Sequence, residues 1–525
     1  MPNLYQTLMF HARRRPDAIA VSDRERQLTY ADLAARTRQL ADWLESSGIR
    51  RGDRVALVLW NSIDYIALIH ATALIGFVLV PVNTRYSAKE LAFLLGDCEP
   101  SLIIYDEQFE ALMQQTRDGN DLPAATRWLP SKSLPACENS AAIVKATHPD
   151  QMFGRVEDDD VAMIVYTSGT TSRPKGAMLT HANFVWNAIN HLIELGIDEN
   201  ARTALATPLF HIAGLGVING PVLYAGGEMH IVSQFNPDDV LETLTSFRPT
   251  HLFLLATMWV ALTDHPDFKS FKAESVSYVQ AAGATLSSWR QELIREAFPN
   301  AQFGLGFGMT ETCVTTIKNR YTSELLDHPG SLGYAWRHVA YRLVDEDGAV
   351  LEDQRGPGEL QIKCPTVFKG YWRQPELTAE VLDSGGWLST GDLVRFDDNG
   401  FLYFIGRSKD MIKTGGENVA AVEVEECLSE HPGVKQAAVF SLPHEYWGEE
   451  LVAAVMAIPG TQLEPDELRL WCRERISGFK VPKRVFIVDE LPVSSSGKVQ
   501  KFRLREAFAS DSSPVAGTVA LQEER

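Results

Sequence analysis

The stretch YTSGTTSRPKGAMLTH, residues 166–181, crowds Ser168, Gly169, Thr170, Thr171, Ser172, Lys175 and Gly176 into one segment. It follows VAMIVY, which has strand composition, and precedes AMLTHANFVWNAI, a short strand running into a helix. Glycines let backbone N–H groups turn inward, hydroxyls add donors and a lysine adds charge, so the segment is suited to holding phosphate. It is not a Walker A loop, which requires Ser or Thr directly after the lysine where this chain has Gly176. The alternative is a solvated polar turn, and the density of donors weighs against it.

Four further loops could carry chemistry. FGLGFGMTET, residues 303–312, spaces Gly304, Gly306 and Gly308, but a dinucleotide fingerprint would need glycine where Met309 stands. What remains is a glycine-rich strand end leading to Thr310 and Glu311, and a carboxylate beside phosphates suits Mg²⁺. A loop glutamate taken alone is more often solvated. In WLSTGDLVRF, Asp392 could accept both hydroxyls of a ribose, although an isolated aspartate after Thr-Gly usually marks a turn. GRSKDMIKTGGENV carries Arg407, Lys409, Asp410, Lys413, Gly415 and Gly416, and PVSSSGKVQK carries Lys498, which by itself reads as a solvated lysine. HEYWG lacks the second histidine of a zinc protease motif, and there is neither a G-x-S-x-G elbow nor a Cys/His cluster with zinc spacing.

The elements that must position these loops alternate over roughly the first 400 residues. YADLAARTRQLADWLESSG is helical in pattern, DRVALVLW a strand, YIALIHATALIG a helix, and FVLVPV and PSLIIYD strands. That alternation predicts an α/β class of layered, largely parallel sheets. From Gly330 shorter strands take over, with a hairpin at Asp347-Gly348, and predict a β-rich subdomain. After GRSKD, a plausible hinge, comes a compact α+β module: a helix in VAAVEVEECLSEH, strands in VKQAAVFSLP and LVAAVMAI, and a helix from Asp466. The expected division is an N-terminal domain 1–407, a mobile C-terminal domain 408–509 and a disordered tail 510–525.

Composition narrows the class. Of 525 residues, 45% are hydrophobic and 22% charged, enough for a large core. A formal charge of −19 argues against nucleic acid and anionic membranes as partners. The six scattered cysteines, without a C-x-x-C pair, read as reduced thiols of a cytoplasmic protein. The N-terminal residues lack the apolar core of a secretory signal. The apolar run 66–82 contains His70, Thr72, Gly76 and Pro81, so it is expected to be a buried helix entering a buried strand rather than a membrane span.

Taken together and in order, YTSGTTSRPKG, PLFHIAG, GMTET, STGD, GRSKDMIKTGGEN and PVSSSGK resemble the adenylate-forming superfamily of acyl-CoA synthetases, aryl-CoA ligases, peptide-synthetase adenylation domains and firefly-type luciferases. The likeness runs from about Leu4 to Phe508. It implies a two-step reaction in which a carboxylate attacks the α-phosphate of MgATP to give acyl-AMP and pyrophosphate. A thiol, usually that of coenzyme A, then displaces AMP. The resemblance places Thr167, Ser168, Gly169, Thr170, Thr171 and Lys175 at the β- and γ-phosphates, and Gly308, Met309, Thr310 and Glu311 at the α-phosphate, with Glu311 and Thr167 at the Mg²⁺. It places Gly283 and Ala284, within Ala281–Ala284, against the adenine, and Asp392 and Arg407 at the ribose, with Lys413 among the nucleotide contacts. Lys409 takes the hinge position, Gly415 and Gly416 the pantetheine tunnel, and Lys498 that of the adenylation lysine. An ammonium there would relieve the repulsion between carboxylate and α-phosphate. The family usually has proline where this chain has Ala421.

His211 matches the residue beside the substrate carboxylate in many acyl- and aryl-CoA ligases; a buried structural histidine is the competing reading. Ile212, Ala213, Leu215, Val217, Ile218, Met258, Trp259, Cys313 and Val314 are apolar, and no acidic residue stands where an α-ammonium would be held. The expected substrate is therefore a mostly hydrocarbon acid, whether fatty, aromatic or alicyclic. The alternatives are a stand-alone adenylating enzyme that loads a carrier protein, against which no carrier domain follows Lys498, and a non-catalytic nucleotide-binding relative. The partners expected are the acid, ATP and CoA, with room for a homodimer.

Overall fold

The computed structural model describes residues 3–118, 125–136, 156–167, 174–283, 286–414, 417–444, 446–493 and 499–509, with the side chains of Lys409 and Asn418 left out. The described chain forms two compact units. The first comprises residues 1–283, 294–340 and 363–388, and the second residues 284–293, 341–362 and 389–525. The segment expected to be β-rich from Gly330 is therefore divided, with 341–362 in the second unit beside everything from Ser389 onward and 330–340 and 363–388 in the first, and Arg407 lies inside the second.

Two sheets organise the first unit. In the nine-stranded sheet, the strands Arg202–Leu205, His251–Leu255, Tyr278–Ala282 and Gln302–Met309 run parallel side by side, and Gln302–Met309 then pairs antiparallel with Val314–Lys318. The seven-stranded sheet places Val78–Pro81, Arg54–Val58 and Leu102–Tyr105 parallel at its centre, and ends in the antiparallel trio Val161–Thr167, Lys175–Thr180 and Gly370–Tyr371. The α/β class thus holds, and its central parallel strands, such as Val78–Pro81 and Leu102–Tyr105, are buried on both faces.

Local signals set the boundaries. The helix Tyr30–Ser46 starts where Thr29 and Asp32 cap each other's backbone N–H groups. The apolar run at 66–82 is a helix, Ile63–Ile75, stopped by Gly76 at φ +75°, followed by the buried strand Val78–Pro81. No described helix is long and apolar enough to cross a membrane.

The second unit contains most of a four-stranded sheet, Ala340–Val344, Gly358–Lys363, Leu388–Phe396 and Leu402–Arg407, and an antiparallel bridge from Val344 to Val350 closes the turn at Gly348. Its C-terminal part is built on the long hairpin Val434–His444 and Gly448–Ala457. Val439, Leu451, Ala453 and Val455 face one core with the helix Ala421–Ser429, whereas Ala438, Phe440, Val452 and Ala454 face another with Leu504 and Phe508. The helix expected from Asp466 begins at Pro465, whose missing N–H costs nothing at a first helical position. The tail at 510–525 lies outside the described residues.

Candidate active site

Within the first unit the glycine-, serine- and threonine-rich segment is anchored by a hairpin. Thr167 ends one strand, Lys175 begins the next, and the two are direct partners, with the Thr167 hydroxyl 3.5 Å from the Lys175 carbonyl oxygen. Ser168, Gly169, Thr170 and Thr171, between them, lie outside the described residues. The strand Gly370–Tyr371 pairs with the other edge of Lys175–Thr180, so that Trp372 N–H donates to the Gly176 carbonyl at 2.7 Å. A side chain at 176 would press on Ile164 from 2.6 Å, so close strand packing fixes Lys175 in place.

That pairing sets the Lys175 ammonium 5.5 Å above the Tyr371 ring. The Tyr371 hydroxyl in turn donates to Glu311 Oε1 at 2.7 Å, and Phe368 N–H donates to the Glu311 carbonyl at 2.8 Å. Tyr371 and Glu311 are only 8% and 7% exposed, so the hydrogen bond to the carboxylate is shielded from water. Glu311 is thus not a solvated loop residue. It belongs to a single helical turn, Thr310–Thr312, and is held at side chain and backbone. Lys175 and Glu311, 136 positions apart in sequence (311 minus 175), are joined through one tyrosine.

The turn at Thr310 is forced. Cys313 and Val314 take φ of +50° and +90°, the latter rare for a β-branched residue, and Thr312 Oγ1 donates to the Val314 carbonyl at 2.8 Å. A Cβ at Gly308 would lie 1.8 Å from that same carbonyl oxygen, so only glycine lets the chain double back here. Val314 also comes within 2.8 Å of where a side chain at Gly216 would start, which seats the turn against the His211 segment.

His211 caps the short helix Ile212–Gly216, its Nδ1 accepting from Ala213 N–H at 3.2 Å. A neutral ring in that arrangement carries its proton on Nε2. Ile212, Ala213, Leu215, Val217, Ile218, Met258, Trp259, Cys313 and Val314 are all buried. Beside this helix a small, partly open pocket is lined by Leu4, Leu8, Ile69, Phe184, Leu215 and Leu223, among others. Gly283, at φ +93°, ends the strand Tyr278–Ala282 beside Leu255; Ala284 lies outside the described residues.

In the second unit Asp392 and Arg407 are direct partners on antiparallel strands, with Arg407 Nε 2.7 Å from Asp392 Oδ1. Asp392 is 1% exposed, and its strand position replaces the solvated turn that Thr-Gly-Asp alone suggests. Arg407 also donates to the Thr390 carbonyl at 3.3 Å. Lys413 is exposed on the strand Met411–Thr414, and its N–H donates to Glu449 at 2.7 Å. Lys409 falls in the single turn Ser408–Asp410, and Gly415, Gly416 and Lys498 lie outside the described residues. Among the described residues no three His, Cys, Asp or Glu side chains gather as a metal site.

The family model of the AMP-binding enzymes matches residues 9–372, and that of the AMP-binding enzyme C-terminal domain matches residues 423–498. A feruloyl-CoA synthase of an Amycolatopsis species is 36% identical over 499 residues, covering 95% of this chain and 97% of the relative. ATP-bound MatB from Rhodopseudomonas palustris superposes with a TM-score of 0.83 at 30% identity, covering 97% of this chain and 99% of its own. The o-succinylbenzoate CoA synthetase MenE from Bacillus subtilis, in complex with its acyl-adenylate intermediate, gives 0.83 at 28% identity, covering 96% and 98%. The chain belongs to the AMP-binding enzyme family, as an acid:CoA ligase of its acyl-CoA synthetase branch that uses ATP.

Tyr371 is a member of the cluster with Lys175 and Glu311 that the sequence alone does not single out. In FKGYWRQP nothing distinguishes it from a core tyrosine, and its role appears only once the strand pairing sets it between Lys175 and Glu311.

Proposed function

We propose that the enzyme joins a hydrophobic carboxylic acid, fatty, aromatic or alicyclic, to coenzyme A through an acyl-AMP intermediate. The observation that carries this is the Lys175–Tyr371–Glu311 linkage, which ties a phosphate-seeking cation to a fixed carboxylate. In the first step the acid's carboxylate oxygen bonds to the α-phosphorus and the bond to the bridging oxygen breaks, releasing pyrophosphate. In the second the CoA sulfur bonds to the acyl carbon, the bond to AMP breaks and the thiol proton is lost.

Thr167, Lys175 and the segment 168–171 hold the β- and γ-phosphates; Gly308, Met309 and Thr310 lie along the α-phosphate. Glu311, with Thr167, suits Mg²⁺, because that ion is commonly held by one or two carboxylates together with substrate phosphates. Bound there, Mg²⁺ would neutralise phosphate charge during the transfer. His211 Nε2–H is oriented by the bond that fixes Nδ1 and suits donation to the acid's carboxylate. Gly283 and Ala284 face the adenine, Asp392, Arg407 and Lys413 hold the nucleoside, and Lys498 bridges carboxylate and α-phosphate. Residues 408–509 move about Lys409 to bring Lys498 in for the first step and Gly415 and Gly416 for the second. We place the enzyme in the cytoplasm, consistent with free cysteines at 98, 313, 364, 427 and 472.

The test is AMP release across straight-chain, aromatic and alicyclic acids, with CoA or a purified carrier protein as acceptor. The reading expects AMP release that depends on both acid and CoA; release with carrier protein alone would favour the loading alternative.

A further inference from the structure

Lys318, at the end of the strand Val314–Lys318, is fully buried. Among the described residues no carboxylate lies within ion-pair distance of it. Its ammonium donates to Gln280 Oε1 and sits 4.1 Å over the Tyr278 ring. Burial holds its pKa well below the usual lysine value. Two polar neighbours are unsatisfied: the buried Tyr278 hydroxyl has no hydrogen-bond partner. His191 Nε2, close enough to be influenced by a charge on Lys318, has none either. A lysine in this state is costly to the fold, and an apolar side chain of similar volume would be cheaper.

Register shows where the group points. Gly306 pairs with both Ala282 and Lys318, and Gly304 pairs with Gln280, so these residues share one face of the sheet. A Cβ at Gly304 would lie 2.6 Å from the Tyr278 hydroxyl and 2.7 Å from Lys318 Cε, and one at Gly306 would lie 2.7 Å from Gln280 Nε2. The two glycines therefore let the Tyr278, Lys318 and Gln280 side chains lie directly over the strand and converge. Farther along the same strand come Gly308 and the Thr310–Glu311 turn, which is seated against the His211 helix. From Gly306 to Thr310 is roughly 13 Å, at about 3.3 Å per strand residue. That span suits an acid whose carboxylate reacts at the turn while an oxygen at its other end reaches the cluster.

Resting on the acid:CoA ligase reading, we propose that Lys318 and Gln280 form the far end of the acid subsite. They select acids bearing a second oxygen acceptor opposite the reacting carboxylate, either a ring hydroxyl or a terminal carboxylate. The body of the acid is still hydrocarbon, and its tip is polar.

The test measures kcat/KM for CoA-dependent AMP release with matched pairs: 3-phenylpropanoate against 3-(4-hydroxyphenyl)propanoate, and octanoate against octanedioate, with hexadecanoate as a long apolar control. The wild type should favour the oxygen-bearing member of at least one pair by about ten- to a hundred-fold, the range of a hydrogen bond to a charged group. The phenolic and dicarboxylate pairs tell the two sources of that oxygen apart. Lys318→Met should collapse the ratio toward one by raising kcat/KM for the unsubstituted acid relative to its partner, a change that a merely structural lysine would not produce. If that variant does not fold, the wild-type ratios still decide. Equal use of both members, or preference for hexadecanoate, overturns the proposal while leaving the ligase reading intact; no AMP release with any acid overturns both.

Discussion

Replacing Tyr371 by phenylalanine removes one hydroxyl and leaves the ring beneath Lys175, so it isolates the bond to Glu311. That bond is 2.7 Å long, accepted by a buried carboxylate, and hydrogen bonds to charged groups contribute about 1.5–3 kcal/mol. At about 1.4 kcal/mol per decade, the variant should lose roughly ten- to a hundred-fold in kcat/KM for acyl-AMP formation. The Mg²⁺ concentration giving half-maximal rate should rise, because the carboxylate is no longer held in place. The backbone bond from Phe368 N–H remains, so the fold should survive with Tm lowered by only a few degrees. The assay is acid-dependent ATP–pyrophosphate exchange against Mg²⁺ concentration, alongside thioester formation from supplied acyl-AMP. Exchange at the wild-type rate with an unchanged Mg²⁺ requirement would refute the role of the linkage, as would equal loss in both half-reactions.

Three more outcomes are expected. Lys498→Ala should abolish acyl-AMP formation yet leave thioester formation from supplied acyl-AMP largely intact, measured as separate half-reactions; equal loss in both would remove Lys498 from the first step. Gly308→Ala drives a methyl group into the Val314 carbonyl at 1.8 Å, so adenylation should fall by more than a hundred-fold through displacement of Thr310 and Glu311, and a near-wild-type rate would show that the turn is not forced. His70, His181, His191 and His251 are held neutral by burial, with pKa values lowered to about 4, 4, 3 and 4. Their unfolded counterparts take up protons first as pH falls below about 6.5, so this stabilisation, complete above that value, is lost down to about 4. Glu426, raised to about 6 by burial, acts in the opposite sense, as do Glu425 and Asp106, but burial also lowers His11 and His230, so the histidines outnumber the carboxylates. Tm should therefore decline from pH 7 to pH 5, and a flat or rising profile would contradict these assignments.

The framework of the fold could be read from the chain because its signals are local. The capping pair Thr29 and Asp32, the stop at Gly76 and the uninterrupted apolar strands each declare themselves within a few residues. The site was legible only as a set of loops. Asp392 looks like a turn aspartate until the antiparallel register sets it opposite Arg407. His211 was identified by its place in PLFHIAG, but the bond that orients its ring is made to its own helix. Tyr371 and Lys318 could not be found, because their importance rests on burial and on partners tens of residues away. In the sequence VTTIKNR, a lysine at a strand end reads as solvated.

The most direct test of the account is the nucleotide product formed by the wild-type enzyme with ATP and an accepted acid, before and after CoA is added. Without CoA the enzyme should catalyse acid-dependent exchange of pyrophosphate into ATP, and with CoA it should release AMP in equal amount to thioester. Formation of ADP and phosphate, or exchange that does not require an acid, would contradict acyl transfer through an adenylate.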